Sequence, residues 1–249
     1  MQGFYKRVKK VINNCDIILE ILDARFEELC RNTSLEKYAL NKGKPIILVL
    51  NKIDLVSKLR KKNFEFPTAY ISAKKRIGLK KLRALIGITK SKLKLKKVKI
   101  GIIGYPNTGK SSVINALAGR KVAKTSIKAG FTRGEQWIRI SKDIMLMDTP
   151  GIIPISAKNE FLLVLTCSKN PEQLEDVELN AIKLVELFKN KAPLNLEKYC
   201  GFSIKSLSAE KILENLAIKR KKLKKGQMPD TTAISKILIN DYFSGKLKF

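Results

Sequence analysis

Short apolar runs rich in β-branched residues recur along the first 155 residues, at 16–23 (DIILEILD), 45–51 (PIILVLN), 68–72, 98–104, 136–140 and 144–148. Bounded by turn residues, they predict strands, and their near-continuous apolar character predicts burial on both faces. Helical patterns fall between them at 4–13, 34–41, 57–62, 78–86 and 110–117. Such alternation predicts an α/β fold, a mostly parallel sheet with helices on both faces. The segment 90–99 alternates Lys with Leu and Val and reads as the exposed extension of the strand entering Gly101. From Pro171 onward the strand signal fades, and 174–190, 207–224 and 231–243 read as helices, with Pro193 and Gly226-Gln227-Met228-Pro229 as breakers. A boundary near 154–158 therefore separates an α/β domain, 1–155, from a small all-α domain, 156–249.

Charge changes the picture. The chain of 249 residues carries 51 Lys and Arg against 22 Asp and Glu, a formal charge of +29, while 44% hydrophobic content is that of a folded protein. Lys/Arg clusters recur at 6–10, 58–62, 74–83, 90–99 and 219–225. A polyanion partner follows, and nucleic acid leads because no membrane-binding amphipathic segment accompanies the charge. No membrane span is expected: the longest apolar runs, 46–50 and 161–165, are far short of the about 20 residues a spanning helix needs. The N-terminus also lacks the apolar stretch of a signal peptide. Cys15, Cys30, Cys167 and Cys200 lie too far apart for a CxxC pair and read as free thiols in a reducing compartment, the cytoplasm. Histidine is absent, which excludes a Ser-His-Asp triad, a Cys-His pair, imidazole zinc ligands and imidazole acid–base relays.

The chemistry concentrates in a few strand-end motifs. Gly104-Tyr105-Pro106-Asn107-Thr108-Gly109-Lys110-Ser111 is a complete GxxxxGK[ST] loop between a strand and a helix. Tyr105, Pro106, Asn107, Thr108 and Gly109, with Lys110, Ser111 and Ser112 opening the helix, form a phosphate cradle lined by backbone N–H groups, Pro106 having none to give. Lys110 is expected to reach the β/γ-phosphates and Ser111 to ligate Mg²⁺. Asp148-Thr149-Pro150-Gly151 ends another apolar strand, 37 residues after Ser111. Asp148 is the expected second Mg²⁺ carboxylate, and the Gly151 amide is expected at the γ-phosphate. Thr132, in the intervening loop 128–134, is expected to close over the metal with its hydroxyl. Asn51-Lys52-Ile53-Asp54 follows its own strand. An Asp54 carboxylate can accept from both N1–H and the exocyclic amine of guanine, and adenine offers no such pair. Asn51 supports base and loop, the Lys52 stem lies on the ring, and Ser72-Ala73-Lys74 supplies the Ala73 amide for guanine O6. GTP or GDP is the expected ligand.

The order of these motifs is unusual. A Ras-like GTPase runs phosphate loop, threonine switch, DxxG, NKxD, SAK; this chain runs NKxD, SAK, phosphate loop, Thr132, DTPG. A domain whose ends lie close together can be cut and rejoined in this way, with 89–97 as the joining piece. The chain resembles the circularly permuted GTPases, specifically the ribosome biogenesis GTPase A (YlqF/RbgA-like) family. Asp23-Ala24-Arg25 is similar to that family's DAR signature, although Glu27 stands where its proline is expected. Lys219-Arg220, Lys225-Gly226, Asp230 and the stretch from Asp241 to Leu247 are similar to its helical C-terminal domain.

The resemblance implies GTP hydrolysis by a monomer coupled to maturation of the large ribosomal subunit, with rRNA touched by both domains and Lys110, Thr132 and Gly151 in the catalytic set. It also implies that Asn107 helps hold K⁺ beside the phosphates. An N-terminal histidine, a suspected catalytic group in bacterial members, has no counterpart here. Ile152 stands where Ras-like enzymes carry the glutamine that orients water, so slow unassisted turnover is expected. The rival reading is a GTP-gated binder of another RNA, as in tRNA modification, with incidental hydrolysis.

Overall fold

The computed structural model describes residues 2–57, 59, 62–123, 136–148 and 159–249, with only the backbone of residues 2–4, 136 and 148. The chain divides into two compact units, Met1–Ala157 and Lys158–Phe249. The first contains α1 (Gln2–Asn14), β1 (Ile17–Asp23), α2 (Glu27–Cys30), α3 (Thr33–Asn41), β2 (Ile46–Asn51), β3 (Thr68–Tyr70), α4 (Leu79–Lys92), β4 (Val98–Ile103), α5 (Lys110–Ala118), β5 (Gln136–Arg139) and β6 (Ile144–Asp148).

The six strands form one sheet in the order β3-β2-β1-β4-β6-β5, parallel throughout except for the β5–β6 pair. Because side chains alternate along a strand, the apolar runs fill both faces. Ile17, Leu19 and Ile21 of β1 join Ile100 and Ile102 of β4 under α4 and α5. Ile18 and Leu22 join Leu48, Leu50 and Ile103 under α1 and α3. Gly101 is needed for this second layer: a Cβ there would lie 3.0 Å from both Val11 and Cys15, where α1 packs closest. The register aligns the C-terminal ends of the parallel strands along one sheet edge, where Asp23 pairs with Asn51.

The second unit is helical: α6 (Glu160–Leu165), α7 (Val177–Lys191), α8 (Pro193–Cys200), α9 (Ala209–Lys219) and α10 (Thr231–Ser244). Leu184, Phe188, Ile212, Leu216, Leu238 and Tyr242 are buried in it. Phe188 stacks on Phe249 at 4.0 Å between ring centroids, and the Tyr242 hydroxyl donates to the Leu165 carbonyl at 2.7 Å. Asp241 accepts from Arg220 and Tyr199, both at 2.9 Å, and pairs with Lys246, so these tail residues hold helices together.

Three expectations need correction. Ser57, Leu59 and Lys62 are not helical. The helix expected over 78–86 continues to Lys92, so Lys90-Ser91-Lys92 belongs to its last turn and the strand begins only at Val98. Pro193 breaks α7 but also opens α8, since the first turn of a helix needs no N–H from proline.

Strand alternation also buries one acid. Glu20 shares the face of Ile18 and Leu22, beneath α3, and accepts from the Asn32 amide at 2.8 Å. Burial first, and the nearby Glu36 carboxylate second, raise its pKa well above the usual carboxylate range. Glu36 itself is bound in a fork by Arg31, at 2.8 and 2.5 Å. The native state therefore keeps the Glu20 proton to higher pH than the unfolded chain does, and stability falls as pH rises above the unfolded value of about 4.3. Glu20→Gln, which mimics the protonated form, should remove this fall, worth up to about 1.4 kcal/mol per pH unit. Urea titrations across pH should show the two proteins diverging with rising pH; parallel curves would contradict a protonated Glu20.

Candidate functional site

The sheet edge formed by the ends of β1, β2, β3, β4 and β6 carries nearly all of the motif residues. After β4 the chain turns through Gly104, whose φ of 144° is open to glycine, and a Cβ there would lie 2.4 Å from the Ile21 carbonyl oxygen. The loop then passes Asn107, in the left-handed region at φ 56°, and Gly109 at φ 95°, where α5 begins. Its N-terminal amides thus lie at the start of a helix, the arrangement that suits phosphate. Thr108 is buried and its hydroxyl donates to the Tyr105 carbonyl at 3.0 Å. The Lys110 ammonium is also buried and donates to the carbonyls of Tyr105 at 2.7 Å and Gly104 at 3.2 Å. Ser111 and Ser112 follow in the first turn of α5. The Tyr105 ring packs into the apolar layer under α1, so this residue serves the loop through its backbone. Burial, reinforced by Cys30, Glu20 and Tyr5, pushes its phenol above the ordinary range.

One side chain joins this loop to the base-recognition segments. Asn51, the last residue of β2, is buried; its Nδ2 donates to the Thr108 carbonyl at 2.9 Å, and its Oδ1 accepts from the Ala73 amide at 3.0 Å. A Cβ on Gly109 would lie 2.3 Å from that Nδ2, so glycine is required there for contact as well as for φ. Asp54 lies in the 3₁₀ turn Ile53–Leu55 and accepts from the Ser72 hydroxyl at 2.6 Å; Ser72 Oγ in turn accepts from the Lys75 amide at 3.1 Å. Lys74 is exposed in the same turn.

Asp23 and Arg25 were visible in the sequence only as a signature without a role. Asp23 is fully buried, and Arg25 grips it through Nε at 2.9 Å and Nη2 at 2.7 Å. Lys52, held in the left-handed region at φ 66°, places its ammonium 2.8 Å from the same carboxylate. Burial pushes the Asp23 carboxyl up, but the charges of Arg25 and Lys52 outweigh it and hold it well below the usual range. The signal that could have found this role was an acid at the end of β1, one strand away from the NKxD lysine.

Asp148 ends β6, whose register with β4 (Gly101 opposite Met147) brings its backbone to the same edge. Thr132 and Gly151, with Thr149 and Ile152, lie outside the described residues.

Known proteins show the same pattern. Residues 99–200 match the 50S ribosome-binding GTPase family. Uncharacterized GTP-binding protein MJ1464 of Methanocaldococcus jannaschii is 40% identical over 98% of this chain and 66% of its own length. Nucleolar GTP-binding protein 2 of Pneumocystis carinii is 32% identical over 98% of this chain and 52% of its own, and the Arabidopsis thaliana guanine nucleotide-binding protein-like NSN1 is 31% identical over 100% and 48%. The chain therefore spans about half the length of these last two relatives. Among solved structures, GDP-bound YlqF superposes with a TM-score of 0.65 at 24% identity, over 97% of this chain and 96% of that one. GNP-bound YlqF from T. maritima gives 0.63 at 23%, over 99% and 95%. At such identities these structures speak for the fold alone. Its guanine motifs stand ahead of its phosphate loop on a sheet of this order, so the chain has the circularly permuted P-loop fold of YlqF, and it is similar to curated GTP-binding proteins over nearly its whole length.

Proposed function

We propose that this protein binds GTP and GDP at the sheet edge, hydrolyses GTP, and acts as an assembly factor on the large ribosomal subunit by contacting rRNA. The observation that carries the nucleotide reading is the Asn51 amide, which ties Thr108 of the phosphate loop to Ala73 of the base-recognition turn. Asp54, oriented by Ser72, accepts from the guanine edge, and the Ala73 amide, which donates to Asn51 Oδ1, shares its N–H with O6 on binding. Asn51 braces the base and loop, while the Lys52 stem, anchored by Asp23, lies along the ring. On binding, Lys110 exchanges the loop carbonyls for β/γ-phosphate oxygens, and the N–H groups of Tyr105 and of the residues from Asn107 to Ser112 surround the phosphates, with Pro106 contributing shape and no donor.

Mg²⁺ fits this site: a hydroxyl on the first turn of α5 and a carboxylate at the end of the neighbouring strand are hard oxygen donors. Ser111, Asp148 and Thr132 would hold it, and its charge would stabilise the transferring phosphoryl group. Asn107 is the proposed K⁺ ligand. In catalysis Lys110 stabilises developing charge, and Thr132 and Gly151 act on the γ-phosphate side.

The ribosomal assignment is supported by the family matched and by the nucleolar relatives, and the +29 charge supports an RNA partner. In this reading the first unit is the nucleotide domain and the helical unit a second RNA contact. The proposed location is the cytoplasm and the proposed state a monomer. Among the described residues no helix is long and apolar enough to cross a membrane.

Asp54→Asn should weaken GTP binding by about 2–4 kcal/mol and blunt rejection of ATP, since the paired acceptors are lost. Titration with a fluorescent GTP analogue in competition with ATP reads both effects, and unchanged selectivity would remove Asp54 from the base site. Asn51→Ala leaves the Thr108 carbonyl and Ala73 amide buried without this partner, at about 1–3 kcal/mol each. Affinity for GTP and GDP should fall together; a variant binding both like the wild type would separate the phosphate loop from the base turn.

Turnover provides the test of function. With Ile152 in place of a water-orienting glutamine, the free protein should hydrolyse GTP slowly in K⁺, and purified large subunits should accelerate it by about 10³–10⁵. Small subunits serve as the control. A fast free enzyme indifferent to both subunits would overturn the assembly-factor reading.

A further inference from the structure

At the opposite edge of the same sheet, where the parallel strands begin, lies a cavity of about 520 Å³. Five cations line it: Lys44, Lys97, Lys99, Arg139 and Lys142. Its two acids are already engaged. Asp16 accepts from the Lys99 backbone amide at 2.8 Å, and Asp143 pairs with Lys90 and accepts from Ser141 at 2.6 Å. No described carboxylate forms an ion pair with any of the five cations, and all but the half-buried Lys44 are exposed.

The convergence comes from strand register. Lys99 of β4 stands opposite Met145 of β6, and Met145 stands opposite Arg139 of β5, so the three project from one face in a row. Two strand spacings separate the cationic ends of that row by roughly 10 Å. Lys97 and Lys142 flank it, each just ahead of a strand, and Lys44 does the same for β2. Partly exposed Met145 and half-buried Leu95 add an apolar floor, and the Lys99 ammonium lies 5.7 Å from the centre of the Trp137 indole. Lys97 comes from the segment that joins the permuted halves of the domain, just ahead of the strand that carries Lys99.

We propose that this groove is an RNA-binding surface distinct from the nucleotide site, its cations neutralising consecutive phosphates of the RNA backbone and its apolar floor meeting a base or ribose. It rests on the RNA part of the proposed function and assigns that contact to an edge of the sheet. The cations outnumber the acids, are spread in a row rather than focused on one point, and open to solvent, which suits a chain of phosphates better than a single anion. The six residues of β4, at about 3.3 Å each, put about 20 Å between this groove and the phosphate loop, so both ligands can be held together.

The test uses the full chain and a short fluorescein-labelled single-stranded RNA, titrated over a range of salt concentrations. Lys97→Gln, Arg139→Gln and Lys142→Gln combined should lower the log–log salt slope by about 2, near 0.7 for each phosphate no longer neutralised, with affinity for a GTP analogue unchanged. Lys221→Gln, Lys222→Gln and Lys225→Gln combined remove the same charge from the helical unit and should lower the slope less. Lys142→Gln alone, at an exposed turn, should lower it by about 0.7 and guards against misfolding of the triple variant. An unchanged slope in the groove variants, or an equal loss in the control, overturns the proposal. Sedimentation separates it from the ribosomal reading. Wild-type protein that binds RNA through the groove yet ignores large subunits supports the groove and overturns the assembly role; co-sedimentation unaffected by groove substitutions, with an unchanged RNA slope, does the reverse.

Discussion

The proposed nucleotide site depends on one buried amide. Asn51 both donates and accepts, so it links two segments that must keep opposite ends of a ligand in register: the Thr108 carbonyl on one side and the Ala73 amide on the other. A buried amide with two partners is costly to disturb, because breaking either bond leaves a polar group without its partner away from water. It also fixes the residue beside it in the loop, since the space that the Asn51 amide occupies admits no side chain at position 109. Phosphate loop and base turn are therefore parts of one rigid frame.

That frame explains why the chain can be permuted without loss of the site. Every element of the site hangs from the C-terminal end of a strand, and what brings those ends together is the lateral pairing of parallel strands, not the order in which the chain visits them. Cutting one connection and joining the old ends through the short stretch between Lys92 and Val98 leaves each strand neighbour in place. Asp23 belongs to the same logic. It lies on β1 beside β2, buried, and its Oδ2 is shared by Arg25 and Lys52, whose left-handed backbone would otherwise cost the turn about 1–3 kcal/mol with nothing to hold it.

Much of this was legible in the sequence because the signals were local. The apolar runs of β1, β2, β4 and β6 announced a buried parallel sheet, and GxxxxGKS, NKxD and SAK each name residues whose job follows from spacing. What escaped depended on contacts between segments. Glu20 reads as a polar residue in an apolar strand, and only the packing of α3 over it shows why burial and Glu36 raise its pKa. Asp23 carried no local sign of its link to Lys52, twenty-nine positions away. That Ser57, Leu59 and Lys62 are not helical has a simpler cause: four of the six residues at 57–62 are Lys or Arg, and a periodic pattern of so few residues nucleates no helix without a face to bury. The tail residues Arg220 and Asp241, read as a family mark, prove to be a structural ion pair between α9 and α10.

Acids and bases are used differently in this chain. The well-buried carboxylates of the ion pairs serve the fold, Asp23 with Arg25 and Lys52, Glu36 with Arg31, and Asp241 with Arg220 and Lys246. With 22 acids against 51 bases, the unmatched cations are left on the surface, where they repel one another and weaken the compact state. A polyanion that binds the folded surface relieves this repulsion and adds its own binding free energy to stability by mass action. Charge that would be a burden to an isolated protein thus becomes a coupling between folding and the partner. The sheet gives the proposed coupling a geometry: the candidate guanine site at one end of the strands, surplus cations at the other, and a parallel core between them.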